Sequence, residues 1–516
     1  MRLYGPVPYA ATNFLAGALM SLFGWLEAGK ASARDPRSVP SGLNGESLRP
    51  QRIVHLRTRP ALSQCLRGAI VAAAAVEVPE MGHLVGKDLY RKLGAKVDGL
   101  TVRVPWNDEL YAVLKELYSE EDAELVVKMP WGLSKLGRLE RVTGLPRTKL
   151  ENQLESLCHR GLVMDVFVGG AYHYMPSPMV IGIFEFTMMR TDGGTDHATW
   201  AKLFKRYLEQ GDFYAANFAD GQQVSLMRAV PHDGSFTVDE YVEVLDYEKA
   251  TEIVESADRF AIGICSCRHE RHHNGEKECK APLDTCSTFG ATTVDYMVRN
   301  GFSREASKTE MLEMLSRSRE MGLVLNADNV QRNVSFMCHC CSDCCNVLRG
   351  VTCHGYPNTV VTSSYIAAYD HEICKGCGVC RKRCPVEAIG RADDPDPRFR
   401  KHGAPKIDES ICIGCGVCTV KCKSGSMKLH KRKQRVLHPE TTFERVILQC
   451  LERGTLQNQL FDDPASKTHA FMRACVGGFL RLPPVKKALM SDALRSRFLD
   501  AIKNAAIQQG KGSHGM

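Results

Sequence analysis

The sequence predicts an α+β chain, mostly helical and divided into several domains, and three observations predict it. Between residues 87 and 190, apolar residues recur at helical spacing and then give way to a short hairpin pattern. Most of the 22 cysteines crowd into blocks between residues 265 and 422. Beyond residue 430 helical stripes return. A chain of 516 residues has room for several cores. We divide it at 1–86, 87–190, 191–364, 365–430 and 431–516.

Residues 1–86 read as an N-terminal arm with docking helices. The apolar stretch 13–28 (NFLAGALMSLFGWLEA) is too short to span a membrane and is closed by Glu27. A signal peptide would carry more positive charge ahead of it than Arg2. The Ala-rich stretch 69–78 is shorter still. Both suit a buried helix, with peripheral docking as the alternative. Residues 29–60 carry Pro, Gly, Ser and Arg without apolar periodicity, which suits an extended arm.

In 87–190, Leu110, Val113, Leu114 and Leu117 share a helical face, and 123–127 begins another stripe. Leu150, Leu154 and Leu157 form a third, stopped by Gly161. Then 162–168 and 171–175 flank the turn Gly169-Gly170. A hairpin behind a helix-turn-helix is a winged-helix-like domain. Its second helix offers Arg147, Lys149 and Arg160 but also Glu151 and Glu155, and 166–174 has no Lys or Arg. Phosphate contacts dominate affinity for DNA, so this face argues against nucleic acid and for protein docking. The net charge of +8, from 67 basic and 59 acidic residues, is too mild to reverse that.

Region 191–364 reads as a cysteine-rich iron–sulfur domain. Helices are expected at 200–218 and 238–255, then a first block: Cys265, Cys267, Cys279 and Cys286. A helix at 307–321 ends at Gly322. The second block is Cys338, Cys340, Cys341, Cys344 and Cys345, with Cys353 nearby. These thiols suffice for two more 4Fe-4S clusters. Zinc is the alternative, with His269, His272, His273 and His339 at hand. Adjacent cysteines point apart, so either one of the five stays free or the block serves two sites.

Cys374, Cys377, Cys380 and Cys384 form one C-x2-C-x2-C-x3-C run; Cys412, Cys415, Cys418 and Cys422 form a second with the same spacing. Three thiolates on one short loop reach three corners of a cube, and the chain then leaves in the wrong direction for the fourth. The fourth cysteine therefore caps the other cube. This assigns Cys374, Cys377, Cys380 and Cys422 to one 4Fe-4S cluster and Cys412, Cys415, Cys418 and Cys384 to another. Two zinc knuckles are the rival reading. Residues 365–430 resemble the two-cluster ferredoxins of bacteria. The sequence departs from that pattern at Lys423, where Pro is common, and in the long charged link from Pro385 to Cys412. The array over 85–460 resembles a group of multi-cluster iron–sulfur proteins of anaerobic and facultative bacteria. That resemblance implies electron transfer within a larger oxidoreductase system.

Arg381, Lys382, Arg383, Lys421, Lys423 and the run 428–435 suit an acidic electron donor, or simply a solvated face. Residues 440–509 carry Phe443, Val446, Ile447 and Leu451 on one stripe, interrupted later by Pro483-Pro484. We read this helical extension as a cap over 365–430 or a subunit contact. No G-x-G-x-x-G or P-loop sits in a suitable context. The chain therefore reads as a cytoplasmic electron-transfer subunit that hands single electrons to a partner oxidoreductase or flavoprotein in a hetero-oligomer. Two alternatives stand: a redox-sensing winged-helix regulator, and a reductase whose substrate meets a cluster in the upstream blocks.

Overall fold

The computed structural model describes residues 84–191, 196–219, 222–236, 244–433, 436 and 438–508. The stretches 13–28, 29–60 and 69–78 lie outside the described residues, as does part of the run 428–435. Among the described residues, no helix is long and apolar enough to cross a membrane. Residues 76–490 form one compact unit, and the helix Asp492–Gln508 belongs to another.

The first unit begins as a helical layer. Leu110, Val113, Leu114 and Leu117 line the buried face of helix Asp108–Leu117, as their spacing requires. Helix Glu120–Lys128 starts at a capping box, in which Ser119 and Asp122 satisfy each other's backbone N–H groups. Strand Ser134–Lys135, helices Leu136–Thr143 and Arg147–His159, and strands Val163–Val168 and Ala171–Pro176 follow. The strands pair antiparallel with Ala171–Pro176 in the centre. Gly161 has φ +77°, and a Cβ there would lie 2.3 Å from the Phe186 Cβ, so only glycine lets the chain turn at this point. The expected helix over 200–218 is two, His197–Glu209 and Asp212–Phe218, broken at Gly211 with φ +85°.

Region 191–364 differs most from expectation. Its centre is a seven-stranded sheet, so the protein is a mixed α/β structure in which helices still outweigh strands. The strand order is Val360–Val361, Met227–Val230, Val324–Asp328, Phe336–Cys340, Cys286–Phe289, Phe260–Gly263, Ser303–Ala306. Only the first pair is parallel. One face packs Ile262, Phe289, Leu325, Ala327 and Met337 against Met311, Met314 and Leu315 of helix Lys308–Met321. That helix opens on a Ser307–Glu310 capping box and ends on left-handed Gly322. Side chains alternate along a strand, so Asn326, Cys338 and Cys340 leave by the opposite face.

Beyond it, Tyr365–Tyr369 pairs with Met427–Lys431, and Ile389–Ala392 with Ala404–Ile407. The second pair and the 3-10 turn Pro397–Phe399 occupy the charged link after Pro385. Helices Val379–Arg383 and Val417–Val420 complete the stretch.

The helices Thr442–Arg453, Leu456–Leu460, Lys467–Leu480 and Pro483–Met490 follow, and side chains on or beside them reach both the helical layer and the sheet. Arg138 forks onto the fully buried Asp462 at 2.8 and 2.9 Å. Arg453 donates to the Thr101 carbonyl at 2.7 Å, and Arg445 meets Asp328 at 2.9 Å.

Candidate metal centre

The two runs fold so that their cysteines exchange partners. Cys380 faces Cys374, Cys377 and Cys422. Cys384 faces Cys412, and Cys418 faces Cys415, Cys384, Cys412 and, from the first run, Cys380. The structure thus places Cys422 of the second run near Cys380 of the first, and Cys384 of the first near Cys412 and Cys418 of the second. A cavity is lined by Cys374, Cys377, Cys380 and Cys422. The loops are tight: Gly376 has φ +59°, and a Cβ there would lie 2.0 Å from the Arg398 carbonyl oxygen. Backbone N–H groups point at sulfur, from Ala388 to Cys384 at 3.2 Å and from Met427 to Cys422 at 3.5 Å.

Burial pushes the Cys380 thiol up to about 11 and the Cys415 thiol higher still. Burial also raises Cys422, but Ser424 and the backbone N–H groups around it outweigh that and hold it below the ordinary thiol value. Protons on the high thiols leave when a cation binds sulfur. Four thiols per quartet with inward N–H donors are a donor set that fits a 4Fe-4S cluster.

Two arginines outside the cysteine runs were not legible as parts of this site. Arg398 donates to the carbonyls of Glu372 at 2.8 Å, Cys374 at 3.1 Å and His371 at 3.2 Å. Arg432 donates to the Tyr365 carbonyl at 3.1 Å and also to that of Cys412. Each run's first cysteine therefore has its carbonyl held by an arginine. Charge-assisted bonds to backbone leave no spacing signature.

The upstream cysteines divide into six and three. In the sheet, Cys286 lies opposite Cys338, whose other neighbour is Asn326. Cys340 follows two residues on, on the same face. Cys265 caps helix Ser266–His273, Cys267 sits in its first turn, and Cys345 caps helix Asn346–Thr352. Thiol contacts run from Cys267 to Cys345, Cys340, Cys338 and Cys286, and Cys265 faces both Cys267 and Cys286. The N-terminus of Ser266–His273 aims its positive dipole end at this group, which favours thiolate. Bonds from Cys338 and Cys345 hold Cys340 below the ordinary thiol value against its burial.

Cys279, Cys341 and Cys344 form the smaller group with Asp343; one ligand atom of each lies within 4.8 Å of the others. The Cys279 and Cys344 sulfurs are 3.8 Å apart. Asp343 accepts from the Cys279 N–H at 2.8 Å. Bonds from Cys341 and Cys344 hold Cys279 low while its partners are pushed up, so the trio shares protons that one cation would displace. The block 338–345 therefore contributes cysteines to both thiol groups, which is how its adjacent cysteines are accommodated.

Arg268, fully buried, stands between the groups, facing Cys265, Cys341 and Cys279. Its guanidinium donates to the carbonyls of Pro282 at 2.6 Å and His339 at 2.9 Å, to Thr285, and to the Cys341 sulfur at 3.6 Å. Its Nε is buried without a partner, a donor left free beside the thiols.

The histidines suggested for zinc do not join the sulfurs. Both ring nitrogens of His339 are taken, by Ser287 at 2.9 Å and Ser318 at 2.7 Å. His269 and His273 face each other, 2.9 Å apart through Nε2. Cys353 ends helix Asn346–Thr352, while Cys158 and Cys450 are buried apart from the two groups.

Residues 367–390 match the family model of the 4Fe-4S binding domain. No curated protein and no solved structure matches the chain. With the clustered cysteines, the family match makes this an iron–sulfur protein with at least one 4Fe-4S cluster.

Proposed function

We propose that the chain is an electron-relay subunit that passes single electrons through several 4Fe-4S clusters to a partner oxidoreductase or flavoprotein. Cys374, Cys377, Cys380 and Cys422 hold one cluster; Cys412, Cys415, Cys418 and Cys384 hold the other. The observation that carries this is the exchange of Cys384 and Cys422 between the runs, an arrangement that two independent zinc knuckles would not need. A bound cluster stores one electron at a potential set by nearby charge and by hydrogen bonds to sulfur.

Access to the two quartets differs. Cys377 is exposed, whereas Cys415 and Cys418 are buried. Around Cys377, Ile373 and Val379 are exposed apolar residues, rimmed by exposed Lys375, Arg381, Lys382 and Arg383. An apolar centre with a basic rim suits an acidic redox partner docking within reach of this quartet.

Four of the six upstream thiols suffice for a further cluster, with Arg268 and Asn326 as polar neighbours. The trio Cys279, Cys341 and Cys344 with Asp343 is the second addition. There a zinc reading has its own support: Zn–S bonds of about 2.3 Å in a tetrahedron put sulfurs about 3.8 Å apart, which is the Cys279–Cys344 separation.

In 87–190, the order of helices, short strand and hairpin supports a winged-helix-like domain used for docking within the protein. Arg147, Lys149 and Arg160 are paired with Glu151, Glu121 and Asp122 at 3.1, 2.6 and 2.8 Å. The hairpin is itself engaged: Asp165 meets Arg299 at 2.8 Å, and that guanidinium lies 4.6 Å over the Tyr172 ring. Little positive charge is left for phosphates.

Iron, sulfide and zinc per chain after anaerobic purification, with low-temperature EPR of the reduced protein, test the reading. We expect about eight irons from the two quartets, and about four for each further cluster. An iron-free, colourless chain ends it.

A further inference from the structure

Three histidines, with no part in the thiol sites, converge where two helices meet. His197 begins helix His197–Glu209; His269 and His273 stand one turn apart on Ser266–His273. One ring nitrogen of each lies within 4.8 Å of the other two. His269 Nδ1 is 2.6 Å from the Met188 carbonyl oxygen. The His197 ring likewise bonds the Arg190 carbonyl. Carbonyls that accept a hydrogen bond from Nδ1–H keep the proton there and leave the lone pair on Nε2, the tautomer that binds metal. The His197 Nε2 is buried and has no hydrogen-bond partner, a costly state for a polar atom. Rings stacked for packing alone would not need that atom turned inward.

We propose that His197, His269 and His273 bind zinc(II) through Nε2, with the fourth position left to water. Three nitrogens at about 2.0–2.1 Å from zinc stand about 3.3 Å apart; here His269 and His273 are 2.9 Å apart and all three lie within 4.8 Å of one another. Neutral imidazoles without thiolate suit zinc better than an iron–sulfur cluster. The ion would tie helix His197–Glu209 to the helix whose N-terminus carries Cys265 and Cys267.

The test is metal analysis of the full chain, purified anaerobically, beside His197→Ala, His273→Ala and His272→Ala. We expect His197→Ala and His273→Ala each to lose about one equivalent of zinc with iron unchanged, and His272→Ala to keep it. Zinc that survives both substitutions, or zinc lost only in Cys279→Ser, overturns the site. A fall in iron as well would signal misfolding, so cobalt(II) binding to the unaltered chain gives an independent reading. Weak d–d bands without thiolate-to-cobalt charge transfer support three nitrogen ligands; charge-transfer bands alone, or no binding, overturn them. Iron content reports on the cluster reading separately, so either proposal can fail alone.

Discussion

Replacing Arg268 should lower the reduction potential of the upstream centres. The guanidinium is fully buried, faces sulfurs of both groups and is 3.6 Å from the Cys341 sulfur. At that distance and an effective dielectric of about 20, a unit positive charge stabilises a unit negative one by about 5 kcal/mol. One-electron reduction adds one negative charge, and 59 mV corresponds to 1.4 kcal/mol, so the ceiling on the shift is about 200 mV. The added charge spreads away from the sulfur, so Arg268→Met should lower the potential by about 50–200 mV. The substitution also removes the Arg268 bonds to the Pro282 and His339 carbonyls, at a cost of about 0.5–1.5 kcal/mol each or more. Arg268→Lys is the companion variant: it keeps the charge and should keep most of the potential while losing the fork. EPR-monitored redox titration of iron-replete protein is the assay. Unchanged midpoints for every centre in Arg268→Met, with iron intact, would refute the electrostatic argument.

Two further predictions concern the quartets and their junction with the sheet. Cys384→Ala should remove about four irons and expose Cys412, Cys415 and Cys418 to alkylation while Cys374, Cys377 and Cys380 stay protected; Cys422→Ala should do the reverse. Mass spectrometry of the alkylated chains decides, and loss of protection within the mutated run alone would contradict the exchange. His232 donates through Nε2 to the Leu323 carbonyl at 2.8 Å, and its backbone N–H reaches the Cys415 carbonyl at 3.3 Å. Burial lowers its pKa from 6.5 to about 4. The folded ring is thus neutral where the unfolded one is charged. Stability is complete above pH 6.5 and is lost as pH falls toward about 4, by about 3 kcal/mol. His232→Gln keeps a donor and removes the titration, so its melting temperature should fall less steeply over that window; an equal acid slope would count against the assignment.

The parts legible in the sequence were those with a local cause. Helix Asp108–Leu117 follows from its apolar spacing, helix Lys308–Met321 from Ser307, Glu310 and Gly322, and the gathering of the two cysteine runs from their repeated spacing. The seven-stranded sheet shows no sequence pattern because its strands are five residues or fewer, several of them wholly buried, such as Phe260–Gly263 and Val324–Asp328. Runs that short show no period, and cysteines in Phe336–Cys340 drew attention as ligands, not as alternating strand residues. The six-and-three division was hidden for a related reason: it depends on which strand lies opposite Cys286. Arg268, Arg398 and Arg432 act through backbone carbonyls far away in sequence, and His197 lies 72 residues before His269.

Between Cys340 and Cys345 the chain changes allegiance twice: Cys340 and Cys345 belong with the six thiols, Cys341 and Cys344 with the three. Six consecutive residues thus act as a hinge-pin shared by two thiol groups. On the proposed function, filling either group with metal would fix the loop geometry the other requires, so maturation of the two should be interdependent, with half-loaded chains scarce. The same economy makes the loop intolerant of length change. Losing or gaining a single residue there would disable both groups together.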